Sequence, residues 1–167
     1  SLCCNSSGSN NVAIGDKALT VNTTGSCNTA VGKDALTAHT TGTRNTAVGT
    51  GALCDITTTQ DNTGIGYDAA RDSTANYTTA VGSEAVFRTT GSGNTGALMC
   101  NTTGAKNVAI GYEALCRNTT QDSNIAIGTQ ALKGSATITG SGNVSIGHQS
   151  SYDITSGDNN IAMGYRA

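Results

Sequence analysis

One phrase recurs from end to end of the chain: Asn, a small or β-branched residue, Ala, Val or Ile, then Gly. It reads Asn11-Val12-Ala13-Ile14-Gly15, Asn28-Thr29-Ala30-Val31-Gly32 and Asn45-Thr46-Ala47-Val48-Gly49, and it closes with Asn160-Ile161-Ala162-Met163-Gly164. Copies start at residues 11, 28, 45, 62, 78, 94, 107, 124, 143 and 160, so the dominant interval is 17 residues. Self-similarity at a fixed period marks a solenoid, in which each repeat is one rung and buries its apolar residues only by stacking on its neighbours. The consensus is Asn-Thr-Ala-Val-Gly-x-x-Ala-Leu-x-x-Asn-Thr-Thr-Gly-x-x, whose places are numbered here as positions 1 to 17.

Residue by residue, the repeat predicts an all-β chain, a parallel β-solenoid or β-roll of about ten rungs that forms a single domain over residues 1–167. Positions 2 to 4 read as a short strand because β-branched residues favour a pleated surface. Gly at position 5 ends it where a Cβ would be unfavourable. Ala and Leu at positions 8 and 9 begin the return path, and Thr-Thr-Gly at positions 13 to 15 reads as a second strand. Asn at position 1 predicts a ladder along the axis through Asn11, Asn28, Asn45, Asn62, Asn107, Asn124, Asn143 and Asn160, or a run of turn residues. Positions 2 and 4 point one way and position 3 the other, yet both sides are apolar or small. One side must fill the core. The other is expected to be covered, most simply by another copy of the chain, unless the small Ala lies in a narrow core under a turn. The repeat at Asn94 lacks four residues and is expected to be irregular, and the insertion over 135–142 is expected to bulge.

Composition narrows the function. The 167 residues include no Pro, no Trp, one Phe and 22 Gly, and a net charge of −2 with no basic block speaks against nucleic acid as a partner. No apolar run approaches the ~20 residues of a membrane-spanning helix, so membrane insertion is not expected. Neither a signal peptide nor an initiator Met stands at Ser1, which reads as a mature product or a piece of a longer protein. His39 and His148 stand at unrelated positions and no nucleophile is paired with a base, so the chain reads as a non-enzyme without cofactor or metal.

The Asn-x-Ala-Val/Ile-Gly-x-x-Ala phrase resembles the head repeats of trimeric autotransporter adhesins of the YadA type. The longer Asn-Thr-Thr-Gly-x-x-Asn-Thr-Ala-Val-Gly wording is similar to repeats of phage and viral tail fibres. The resemblance covers almost the whole chain. It implies a left-handed β-roll, commonly trimeric, that binds host surfaces or matrix, through glycans or proteins. The chain departs from the adhesin heads in its longer repeat, its six cysteines and its lack of a stalk, neck or anchor.

Further candidates follow from the register. Ser1, Leu2, Cys3 and Cys4 continue the rung that Gly164, Tyr165, Arg166 and Ala167 begin, so copies would stack head to tail into a filament through a composite rung, or a longer repetitive protein has been cut here. Cys100 and Cys116 stand on successive rungs within disulfide reach, or are two buried thiols, while Cys3 and Cys4 could bond a neighbouring subunit. A disulfide-bearing chain would sit outside the cell or on a cell or virion surface. Asn5, Asn22, Asn76, Asn101, Asn118 and Asn143 each begin an Asn-x-Ser/Thr acceptor that would carry glycans along one edge, although the consensus generates such matches unaided. Three functions remain: an extracellular structural or adhesive fibre module, an ice-binding solenoid with rows at Thr23-Thr24, Thr40-Thr41, Thr57-Thr58, Thr89-Thr90, Thr102-Thr103 and Thr119-Thr120, and a receptor-binding tail-fibre segment.

Overall fold

In the computed structural model, which describes residues 1–96, 98, 101–134, 139–153 and 156–167, each repeat forms one strand at positions 2 to 4. These are β1 (Val12–Ile14), β2 (Thr29–Val31), β3 (Thr46–Val48), β4 (Thr63–Ile65), β5 (Thr79–Val81), β6 (Thr95–Gly96), β7 (Val108–Ile110), β8 (Ile125–Ile127), β9 (Val144–Ile146) and β10 (Ile161–Met163). All ten pair in parallel, in chain order, in one sheet. Like repeat positions face each other, as in Thr29↔Thr46, Ala30↔Ala47 and Val31↔Val48. The chain is a β-solenoid, as the period requires. The short repeat keeps its place, with β6 cut to two residues and Thr95 alone registered on Thr79.

The core is narrow. Ala at position 3 points inward (Ala30, Ala47, Ala80, Ala109 and Ala126 are fully buried) and meets the Ala-Leu pairs of the return path, among them Ala35-Leu36, Ala52-Leu53 and Ala114-Leu115. Of the two ways to place the strand, the small residue therefore takes the inside, and Val and Ile at position 4 face out.

The asparagine ladder forms, and its mechanism is two-sided. Each position-1 side-chain oxygen accepts the backbone N–H of the next rung: Asn28 N to Asn11 at 2.9 Å, Asn45 N to Asn28 at 2.9 Å, Asn62 N to Asn45 at 3.0 Å and Asn124 N to Asn107 at 2.9 Å. The side-chain nitrogen donates to the position-15 carbonyl of its own repeat, 14 residues on, as from Asn28 to Gly42 at 3.0 Å and from Asn143 to Gly157 at 2.9 Å. Both halves of the amide are thus hydrogen-bonded, which a buried Asn must achieve to avoid an unpaired polar group. Thr78 interrupts the row, and its buried hydroxyl finds no partner.

The return path was not legible. Leu19, Leu36, Leu53, Leu115 and Leu132 all take left-handed backbone (φ 52, 52, 51, 54 and 49), as do Lys17, Asp34, Glu113 and Gln130 two residues before. The reason lies in the amides. Position 7 donates to the preceding rung (Asp34 N to Asp16 O, 2.9 Å) and position 9 to the following one (Leu36 N to Ala52 O, 3.1 Å). Alternating left-handed residues turn successive N–H groups up and down the axis. Each left-handed Leu costs about 1–2 kcal/mol, and its complete burial returns about 1.5–3 kcal/mol.

Among the described residues no second strand forms at positions 13 to 15, which corrects the sequence reading. Thr23 N and Thr24 N both donate to Thr40 O, at 2.9 and 3.2 Å. Two successive amides converging on one carbonyl make a bend rather than a ladder. Of the insertion, Ser135, Ala136, Thr137 and Ile138 lie outside the described residues.

Candidate interaction surfaces

Positions 2 and 4 of every rung face away from the core and form one sheet surface. Its large apolar side chains are open: Ile14 is 60% exposed, Val81 59%, Ile110 53% and Met163 67%. No position 2 or 4 in β1 to β10 carries a charge. Tyr67 and Tyr112 stand exposed just beyond the turn glycine, and Tyr112 shares a depression with Val81 and Glu84 where the short rung leaves room. Contiguous apolar surface of this kind marks an interaction site rather than ordinary exposure.

Charges lie elsewhere on the coil. Arg44 grips Asp61 one rung on with two bonds of 2.6 and 2.8 Å, and its guanidinium holds the Asp61 carboxyl below its ordinary range. Lys133 lies 2.7 Å from Glu113, which Gln130 also bonds, and both partners pull the Glu113 carboxyl down. Glu113 is therefore a rung-to-rung tie. Asp34 faces Lys33 at 3.8 Å, while Glu84 is exposed.

Cysteine chemistry is muted. No disulfide joins two described residues; Cys3 and Cys4 are exposed thiols with sulfurs 3.5 Å apart. The Cys100–Cys116 bridge rests on Cys100, which lies outside the described residues; Cys116 is buried. Burial and the neighbouring Asp55 push the Cys54 thiol up to about 12, so it holds no thiolate at neutral pH.

Sequons at position 12 point the wrong way for glycans. Asn22, Asn101 and Asn118 are fully buried, and the sequon of Asn143, which belongs to the position-1 ladder instead, is 2% exposed. Their amide nitrogens donate inward, as from Asn22 to Gly25 O at 3.0 Å, from Asn101 to Gly104 O at 2.6 Å and from Asn118 to Gln121 O at 3.0 Å. Position 12 is a second internal ladder, with Asn22 bonded to Asn5 at 2.9 Å, and not a decorated edge. Asn5 and Asn76 are half-buried.

The terminal residues keep the repeat's register: Leu2 N donates to Ala18 O at 3.1 Å and Ser151 N to Ala167 O at 2.8 Å. Ser1, Cys3, Cys4, Gly164, Tyr165 and Arg166 are exposed, and Arg166 lies over the Tyr165 ring.

Threonine rows at position 13 are partly spent on structure. Thr23, Thr40 and Thr102 donate their hydroxyl protons to Thr40 O, Thr57 O and Thr119 O at 3.1, 3.0 and 2.8 Å. A different row faces outward in register: Thr29, Thr46, Thr63, Thr79 and Thr95 on β2 to β6.

His39, at position 12, is fully buried and remote from His148, and burial lowers its imidazole below its ordinary value while the Gly42 and Ile56 backbone pulls partly the other way. Among the described residues, no three His, Cys, Asp or Glu side chains gather to hold a metal ion, and no helix is long and apolar enough to cross a membrane. No family model, curated protein or solved structure matches the chain.

Proposed function

We propose that the chain is a non-enzymatic structural module of an extracellular or surface fibre, and that copies associate through the outward sheet face while the remaining faces meet the host surface or matrix. The uncharged apolar face of β1 to β10 carries this reading, since loss of charge is the compositional signal of an interface core. Ten rungs at about 4.8 Å, over five residues of about 3.3 Å each, give roughly 800 Å² per copy, matching the roughly 800 Å² per partner of a standard interface. Nucleic acid and membrane insertion have no part in it, and no chemistry is assigned to any side chain. Lateral association and head-to-tail stacking are separable, because the first uses the sheet face and the second the sheet edges. The test is light scattering on the wild type and on a Val48→Asp, Ile65→Asp double variant. An oligomer that becomes a folded monomer on substitution supports the reading; a wild type that stays monomeric at its highest soluble concentration overturns it.

A second reading takes the same face as an ice-binding lattice. The registered row Thr29, Thr46, Thr63 and Thr79 beside Val31, Val48, Ile65 and Val81 favours it over the position-13 row. Thermal hysteresis in the wild type, abolished by Ile65→Asp, supports it, and its absence removes it.

A further inference from the structure

A groove of about 760 Å³ runs along the return face beside the short rung, lined by Asp72, Thr74, Arg88, Thr90, Thr102 and Thr119, with Thr89 buried behind them. It is far from the sheet face in repeat position, at positions 11 to 13 rather than 2 and 4. Its floor is four stacked threonines from consecutive rungs, about 14 Å long at three spacings of about 4.8 Å. That length suits two or three linked sugar rings, and the volume is that of a small-molecule site.

The hydroxyls decide what can lie there. Thr90 donates to Thr102 O and Thr102 donates to Thr119 O, each at 2.8 Å. With their protons committed to the backbone, both oxygens offer only lone pairs to the groove. A row of acceptors calls for a ligand rich in donors. At one end Arg88 and Asp72 stand 3.8 Å apart, beyond a hydrogen bond, with side chains 74% and 39% exposed. The guanidinium retains donors, and the Asp72 carboxyl, already hydrogen-bonded to Asp55 and held above its ordinary range by that carboxyl, still has acceptor capacity, a combination that matches neighbouring hydroxyls on one ring. An anion would find one cation already beside a carboxylate and a line of repelling lone pairs. An apolar ligand would find no aromatic or long aliphatic wall among the described lining residues.

We propose that this groove binds a neutral oligosaccharide, which lies along the threonine row, donates its hydroxyls to Thr90 and Thr102, and is held at one end by Asp72 and Arg88. This deepens the adhesive part of the function proposed above by naming what the free face recognises.

The test is saturation-transfer NMR and calorimetry on the full chain with maltotriose, cellotriose and chitotriose as neutral probes and sialyllactose as the acidic comparator. At least one neutral trisaccharide binds; Arg88→Ala and Thr102→Val each weaken it roughly fivefold or more, and Thr102→Ser restores it. Arg88 is an exposed side chain, so its variant decides the matter should Thr102→Val fail to fold. No transfer from any neutral probe, a response to sialyllactose alone, or binding that neither Arg88→Ala nor Thr102→Val alters overturns the proposal. Light scattering on the same samples reads self-association separately, so failure of the groove and failure of the sheet-face reading are distinguishable.

Discussion

His39 occupies a place where the repeat wants Asn, and replacing it tests the inner ladder quantitatively. The Asn22 side-chain oxygen, which would meet the amide nitrogen of an Asn one rung on, is buried without a partner, and so is His39 Nδ1. His39→Asn supplies the missing donor at the distance that links Asn118 to Asn101, 3.3 Å. It removes two orphans and creates one, because Ile56 follows at the same position and cannot donate to the new oxygen. One orphan fewer is worth about 1–3 kcal/mol. The two ring atoms lost from a full core return about 1 kcal/mol of that as cavity cost. The variant is therefore more stable by about 1 kcal/mol at pH 7. Its pH response is the sharper reading. The imidazole binds protons more weakly when folded, so below about pH 6.5 the unfolded chain takes up a proton that the folded chain does not, and stability falls as pH falls, by up to about 1.4 kcal/mol per unit. No charged side chain among the described residues pairs with His39 to oppose this, and among them Asn45 Nδ2 at 3.5 Å is its one side-chain hydrogen-bond partner. Urea unfolding followed by circular dichroism at pH 7.5 and 5.0 provides the assay. In that window the wild type loses stability and His39→Asn loses much less. Equal losses, or a variant less stable than the wild type at pH 7, would refute the reasoning.

Three further predictions rest on rung-to-rung contacts. Gly49→Ala drives a Cβ into Gly66 O at φ +135, whereas Gly82→Ala at φ +130 meets, among the described residues, only Ala85 Cβ at 3.8 Å. The first costs about 4 kcal/mol or more and the second about 1–3 kcal/mol of backbone strain, and equal unfolding midpoints would contradict the stacked glycines. Asn45→Ala removes the acceptor of Asn62 N and the donor to Thr59 O, so it lowers stability by about 2–4 kcal/mol in the same urea assay. The exposed Arg44–Asp61 pair contributes under about 1 kcal/mol; a double-mutant cycle finds that coupling at low salt and little of it at 1 M salt.

Fold class, rung starts and the outer ladder were legible because they depend on spacing and on one side chain, Asn, repeated at one place. The return path was not. Leu19 and Leu53 defy the usual aversion of bulky residues to left-handed backbone, and the signal exists only in the third dimension, where their amides must point along the axis. Thr23-Thr24 read as strand from propensity alone, yet the shared carbonyl of Thr40 bends it. The Asn-x-Thr motifs of Asn22 and Asn118 could not reveal from sequence that their amides were already committed inside. The groove beside the short rung was legible only as an expected irregularity at Asn94, since its chemistry depends on where threonine hydroxyl protons go.

Rung-to-rung nuclear Overhauser contacts between residues 17 apart provide the decisive measurement. Stacking in register predicts Ala13–Ala30 and Ala30–Ala47 contacts together with Ala47–Leu36 across the core, the arrangement in which Gly64 meets Leu53. Strong contacts of Val31 or Val48 with Leu36 or Leu53, in place of those from the alanines, would turn the sheet inside out and contradict the fold, the outward face and every proposal built on it.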